Sequence, residues 1–177
     1  MVIDLRTILR DPRHFDYSLE PAWWQIDEEN DQILGLEGPL KVQISISRDG
    51  SKFALCGRLL GGLQVRCARC LEPYIRDLRT DFRWFLATAP SDTWQSELEL
   101  LEDDMLIDFI TGNEIDLDYI VRGQIYLSLP MKPLCHADCY GLCPSCGANL
   151  NTQECACRQE KGHPGFSKLK NLKLKGE

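Results

Sequence analysis

Leu40-Lys41-Val42-Gln43-Ile44-Ser45-Ile46-Ser47, followed by Arg48-Asp49-Gly50-Ser51 and then by Phe53, Leu55, Gly57 and Leu59 at alternate positions, is the stretch on which the fold turns. Leu40, Val42, Ile44 and Ile46 fall on one face and Lys41, Gln43, Ser45 and Ser47 on the other, the period of a half-buried strand. The Arg-Asp-Gly-Ser run is a turn signal, after which the alternation resumes. Gly61-Gly62 predicts a second turn, into a third strand carrying Leu63, Val65 and Cys67 on one face. Beyond Leu71-Glu72-Pro73, the set Tyr74, Leu78, Phe82, Trp84 and Leu86 predicts one face of a long fourth strand. Four consecutive strands joined by tight turns predict an antiparallel β-meander.

Residues 88–104 read as an acidic loop with Glu97, Glu99, Glu102, Asp103 and Asp104, and 105–110 as another short strand. From Ile115 the period changes. Leu117, Ile120, Val121 and Ile125 form one stripe of a helix, with Asp116 and Asp118 suited to its start and Pro130 and Pro133 marking its end. A helix over the sheet gives an α+β fold, with the β-rich body spanning 36–134. Residues 1–35 have no predicted place in it, although Trp23-Trp24 is expected to pack on the body.

Nine cysteines stand in 177 residues, in two groups: Cys56, Cys67 and Cys70 mid-chain, and six between Cys135 and Cys157. They make up about 5% of the chain, below the ~8–10% of a small disulfide scaffold. The first ten residues carry charges every few positions and no apolar core of a secretory signal. A cytoplasmic, reducing location is therefore expected, where metal ligation is the commoner use of clustered cysteines.

Cys143-Pro144-Ser145-Cys146-Gly147 has the form of a metal knuckle: two thiolates two residues apart can face one tetrahedral ion, and glycine tolerates the positive φ that follows. Cys155 and Cys157 would complete a closed set of four, the arrangement of a structural Zn²⁺ site. Cys135 and Cys139 would then join Cys67 and Cys70 in a second site stapling the C-terminal segment to the sheet. A local alternative groups Cys135, Cys139, Cys143 and Cys146. Between Cys135 and Cys157 only Tyr140, Leu142 and Leu150 are large and apolar, too few for a core, so metal binding has to order residues 135–157. His136 is a spare candidate ligand or an exposed loop histidine. Cys56, the odd cysteine, is expected to be a small packed side chain.

Composition excludes several classes. The net charge of −7 argues against wrapping nucleic acid over the whole surface, and no run reaches the ~18 apolar residues of a membrane span. There is no phosphate loop and no Gly-x-Ser-x-Gly, and nothing points to a small-molecule substrate. Cys67 and Cys70, flanked by Arg66 and Arg69, leave a thiol-disulfide oxidoreductase as an alternative, but they follow a strand where that chemistry favours a helix N-terminus. A zinc-dependent protein-interaction module is a further alternative. Charge is also uneven: residues 158–177 carry a net +4, leaving −11 on residues 1–157. In this basic tail Phe166, Leu169 and Leu172 lie on one side of a short helical pattern. Lys168, Lys170, Lys173 and Lys175 occupy the rest and are candidate RNA contacts, alongside the bland reading of a solvated face.

Four segments together resemble a known family. They are Val65-Arg66-Cys67-Ala68-Arg69-Cys70-Leu71-Glu72-Pro73-Tyr74, Ile115-Asp116-Leu117, Leu129-Pro130-Met131-Lys132-Pro133-Leu134-Cys135, and Gly141-Leu142-Cys143-Pro144-Ser145-Cys146-Gly147-Ala148-Asn149-Leu150-Asn151. From about residue 40 onward the chain resembles the YceD family, the large ribosomal RNA subunit accumulation proteins of bacteria and plastids. The resemblance implies a non-enzymatic role in accumulation or processing of the large-subunit (23S) ribosomal RNA. Its implied partners are the pre-50S particle, that RNA, or a basic protein of the large subunit. Where the family pattern has an Asp-Pro-Arg-Phe-like stretch, this chain has His163-Pro164-Gly165-Phe166.

Overall fold

A computed structural model describes residues 1–9, 11–24, 32–50, 52–88 and 107–157. The elements in order are β1 (Val2–Asp4), β2 (Arg13–Leu19), β3 (Ile33–Leu36), β4 (Leu40–Asp49), β5 (Lys52–Arg66), β6 (Pro73–Thr88), β7 (Ile107–Ile110), β8 (Glu114–Asp116) and α1 (Leu117–Leu127). Short 3₁₀ turns occupy Leu5–Thr7 and Pro21–Trp23. Among the described residues the regular structure is thus mostly strand, with one helix.

The main sheet has six strands in the order β2-β4-β5-β6-β7, with β3 also paired to β5. The alternation read in residues 40–47 becomes β4, with Leu40, Val42, Ile44 and Ile46 buried. β5 continues antiparallel to it, and β6 antiparallel to β5 over fifteen paired positions, from Lys52↔Ala87 to Arg66↔Pro73. β7 lies parallel to the end of β6.

The structure corrects the expected turn at Gly61-Gly62: β5 is one uninterrupted strand of 15 residues. The glycines mark a corner instead. β5 pairs with β4 up to Leu60 and with β3 from Leu63, and the β3–β4 connection crosses between. The Glu37 N–H donates to the Gly62 carbonyl at 2.8 Å. A Cβ on Gly61 would lie 3.0 Å from Leu40, and one on Gly62 3.1 Å from the Glu37 side chain. The missing side chains let the crossing chain press onto the strand, which curls the sheet.

Residues 1–35, unplaced from sequence, supply three strands. β2 extends the sheet beside β4, β3 covers the lower half of β5, and β1 pairs with β8 in a separate two-stranded ribbon. Trp24 is buried in the core with Trp23 packed against it, and Arg122 of α1 stacks over both rings at 5.2 and 4.8 Å. Asp116 caps α1, its Oδ1 accepting from the Asp118 N–H at 3.0 Å. Leu117, Ile120, Val121 and Ile125 of the helix share one apolar core with Leu55, Leu59, Leu63, Val65 and Leu78 of the sheet. At roughly 1.5–3 kcal/mol for each buried aliphatic side chain, this core is the main apolar contribution to the body's stability.

Cys56 departs from expectation. It is exposed, because it lies with Arg58 on the outer face of β5; its register partners Ser45 and Arg83 flank it there. The acidic run 88–104 falls outside the described residues except at its first position, and the tail 158–177 lies wholly outside them.

Candidate metal centres

The long β5–β6 pair ends in a turn, Cys67-Ala68-Arg69-Cys70-Leu71-Glu72. The Cys67 N–H donates to the Glu72 carbonyl and the Leu71 N–H to the Cys67 carbonyl, both at 3.0 Å. Leu71 takes a φ of +62°. The turn Cys143-Pro144-Ser145-Cys146-Gly147-Ala148 repeats this scheme. The Cys143 N–H donates to the Ala148 carbonyl and the Gly147 N–H to the Cys143 carbonyl, both at 2.8 Å, and Gly147 takes a φ of +74°. In each turn the two cysteines face the same side and the fifth residue turns the chain left-handed. Glycine does so freely; a leucine costs about 1–2 kcal/mol there.

Beyond α1 the chain returns to the first turn. The Ala68 N–H donates to the Pro133 carbonyl at 2.8 Å, which brings Cys135 and Cys139 over the Cys67 turn. The Sγ atoms of Cys67, Cys70, Cys135 and Cys139 all lie within 4.8 Å of one another, and those of Cys143, Cys146, Cys155 and Cys157 form a second such set. The local grouping of Cys135, Cys139, Cys143 and Cys146 is not the one the structure assembles. All nine cysteines are free thiols.

Both sets could hold a metal ion. Tetrahedral thiolate coordination at about 2.3 Å puts sulfurs about 3.8 Å apart. Cys67–Cys139 and Cys70–Cys135 are each 3.8 Å apart, and Cys146–Cys155 and Cys143–Cys155 are 3.5 and 3.4 Å. Four ligands close each set, and backbone N–H groups serve the sulfurs: Arg69 and Cys135 donate to Cys67 Sγ at 3.5 Å, and Cys157 to Cys155 Sγ at 3.4 Å.

The thiols are tuned apart within each set. Burial pushes Cys67 up, but the N–H groups of Cys70, Arg69 and Cys135 outweigh it and hold that thiol down to about 6. Cys135 is pushed up to about 12 by burial and by its neighbouring thiols. In the second set the N–H groups of Cys146 and Ser145 hold Cys143 down to about 6, while the thiols of Cys155 and Cys146 push Cys157 up to about 12. One thiolate forms readily and the last resists, held back by burial at Cys135 and by the neighbouring thiols at both Cys135 and Cys157; a bound dication would remove that penalty.

The two sets differ in exposure. Cys67, Cys70 and Cys139 are buried, at 0, 4 and 1% exposure, whereas Cys146 and Cys157 are exposed. His136 is exposed with Nδ1 3.1 Å from Cys135 Sγ, outside the four-sulfur set. Lys168, Lys170, Lys173 and Lys175 lie outside the described residues. Sequence reasoning noted Arg69 only as a cation beside Cys70; its guanidinium instead donates to the Cys139 carbonyl at 2.8 Å. It missed Asn151, whose amide reaches Cys139 Sγ at 3.3 Å. Asn151 stood within a motif quoted for its resemblance, with no chemical role attached.

Among the described residues, the curled sheet, the one capped helix and two four-cysteine clusters that could hold metal make a β-rich α+β protein. Residues 55–173 match the family model described as "Large ribosomal RNA subunit accumulation protein YceD"; the chain belongs to the YceD family. It is 27% identical over 156 residues to the Arabidopsis thaliana chloroplastic "Large ribosomal RNA subunit accumulation protein YCED homolog 1", covering 76% of this chain and 49% of that protein. It is 27% identical over 123 residues to the Haemophilus influenzae "Large ribosomal RNA subunit accumulation protein YceD", covering 69% and 68%. An uncharacterised protein of Mycobacterium bovis is 34% identical over 103 residues, covering 58% and 47%. The matches span about half the length of the plant relatives, 49% and 53%. No solved structure matches. Among the described residues no helix is long and apolar enough to cross a membrane.

Proposed function

We propose that this protein is a non-enzymatic factor promoting accumulation of the large-subunit ribosomal RNA during ribosome assembly in the cytoplasm, with Zn²⁺ held structurally at both cysteine sets. The observation that carries the reading is a family match, residues 55–173, that runs across both sets. Closed four-thiolate coordination leaves no position for substrate, which is the structural rather than catalytic use of zinc. Two Zn²⁺ with eight thiolates take the formal charge from −7 to −11, so the acidic body suits a basic large-subunit ribosomal protein. Phosphate contact then falls to Lys168, Lys170, Lys173 and Lys175 of the tail or to the 143–157 knuckle. Four such lysines give a log–log salt slope of about −3 to −4.

Sedimentation of the tagged protein in lysate tests this. Co-migration with pre-50S particles, weakening with salt, is expected. Absence from every pre-50S fraction at both low and moderate salt overturns it.

A thiol-disulfide oxidoreductase is favoured by one observation, the Cys67 thiol held down to about 6. The same thiol is fully buried, with Cys70 at 4% exposure, which denies a substrate disulfide access. The two readings separate on Cys67→Ser. A structural site loses one metal of two; an enzyme keeps its metal and loses exchange activity.

A further inference from the structure

We propose that Asn151 couples the two cysteine centres: standing in the loop of the exposed set, it positions Cys139 of the buried set, so that metal bound at 143–157 tightens metal bound at Cys67, Cys70, Cys135 and Cys139. The inference rests on the metal binding proposed above.

The amide orientation is set by its neighbours. The Tyr140 backbone N–H, a donor only, points at Asn151 Oδ1 at 2.8 Å. Nδ2 is therefore turned the other way, to Cys139 Sγ at 3.3 Å and to Asn149 Oδ1 at 2.8 Å. The Asn149 carboxamide also accepts from the Asn151 N–H at 3.0 Å, closing an Asx turn that fixes the backbone from which the amide projects.

That backbone belongs to the exposed set. Leu142, just before Cys143, bridges to Asn149, the Leu150 N–H donates to the Gly141 carbonyl at 2.9 Å, and the Thr152 and Gln153 N–H groups donate to the Asn149 carbonyl. Cys155 follows two residues later. With few apolar side chains in this loop, metal at Cys143, Cys146, Cys155 and Cys157 is what holds Asn151 in place.

Asn151 ligates nothing. It is a positioning residue whose N–H stabilises the charged form of a ligand in the other centre, the kind of outer contact that tunes affinity. A loop that loses its own metal gives Cys139 up to water, and by linkage the buried metal must stabilise the exposed one by the same factor. A second contact runs the same way: the Leu142 N–H donates to the Arg69 carbonyl, inside the buried set's own turn, at 3.2 Å.

Zinc-isotope exchange of the full-length zinc-loaded protein against excess free zinc tests the coupling, because both sets stay loaded while each metal turns over. Native mass spectrometry counts the metals at the start and reads the exchange. The wild type should exchange a fast, exposed metal and a slow, buried one. Asn151→Asp keeps an acceptor for Tyr140 and replaces the donor to sulfur by a carboxylate oxygen. The slow phase should accelerate about 10–100-fold.

Cys146→Ser combined with Cys157→Ser, which disables the exposed set without touching Asn151, should accelerate the remaining slow phase similarly. Adding Asn151→Asp to that pair should then change the rate by less than about twofold, because the contact is already lost. A slow phase that stays at the wild-type rate in the cysteine pair variant overturns the coupling, whether or not Asn151→Asp folds. A wild type holding fewer than two metals overturns the metal reading itself.

Discussion

The two cysteine sets use the same turn and the same four thiols, yet they do different structural work. The exposed set closes over short distances, with Cys146–Cys155 and Cys143–Cys155 separated by 9 and 12 residues. The buried set joins Cys70 to Cys135 across 65 residues and Cys67 to Cys139 across 72. Closing the long loop costs only about 1–2 kcal/mol more entropy than the short one, but it requires the β5–β6 pair and α1 to be in place first. The buried set is thus a product of the tertiary fold that in turn fastens residues 134–151 to the end of the sheet. The exposed set is a hairpin closed over local distances on the platform beneath it.

The largest break in that comparison should come from Cys70→Ser. With zinc bound at both sets in the wild type, the variant should hold one metal by native mass spectrometry. The C-terminal segment should come away and stability fall by more than about 4 kcal/mol, in the range reserved for lost metal sites and buried networks. Cys146→Ser should also remove one metal but move the main thermal transition less, by about 1–3 kcal/mol, since the sheet feels its loss only through the weakened buried set. Equal losses from both would erase the distinction.

Gly141→Ala strikes the joint between the sets. Gly141 has a φ of +76°, and a Cβ there would lie 3.1 Å from the Arg69 carbonyl oxygen. A loss of about 1–2 kcal/mol is expected, with faster chelator release from both sets. Leu71→Gly should go the other way. Leu71 is 55% exposed at a φ of +62°, so glycine relieves up to about 1 kcal/mol of backbone strain and brings the first turn to the form of the second. A denaturant midpoint that drops in this variant would show the leucine to be held for another reason.

The smallest effect belongs to the sheet alone. Burial, reinforced by Asp118 and Asp116, pushes Tyr17 up to about 12 from an ordinary 10.0, and its buried hydroxyl has no partner among the described residues. As pH rises the unfolded chain gives up this proton first. Stability that is complete below pH 10 is therefore lost between about 10 and 12. Tyr17→Phe should flatten the thermal midpoint across that window; an unchanged alkaline slope would locate the titration elsewhere.

Much of this was legible in the residues. β4, the inward face of β6 and the α1 stripe all announce themselves by period, because each buries one face against a single core. Gly61-Gly62 misled because a glycine pair signals a turn and a close crossing equally well, and only the approach of Glu37 and Leu40 tells which. Residues 1–35 gave only the Trp23-Trp24 pair as a signal. β1 and β3 are three and four residues long, too short for a period to show, and β2 is an edge strand with half-buried inward positions.

The grouping of the cysteines is the instructive case. Local spacing pairs Cys143 with Cys146 and Cys67 with Cys70, since two intervening residues are what a chelating turn requires. Spacing alone left two groupings open, Cys135 and Cys139 with Cys67 and Cys70 or with Cys143 and Cys146, and nothing in Asn149-Leu150-Asn151 says that its last amide touches a sulfur of the other set. By itself the sequence determined the β-rich α+β class, the family and the chelating turns, all of which rest on local periodicity and short-range motif chemistry. Only the tertiary structure decided the curl of the sheet, the union of Cys67 and Cys70 with Cys135 and Cys139, and the reach of Asn151, because each depends on chain segments that become neighbours after the core has formed.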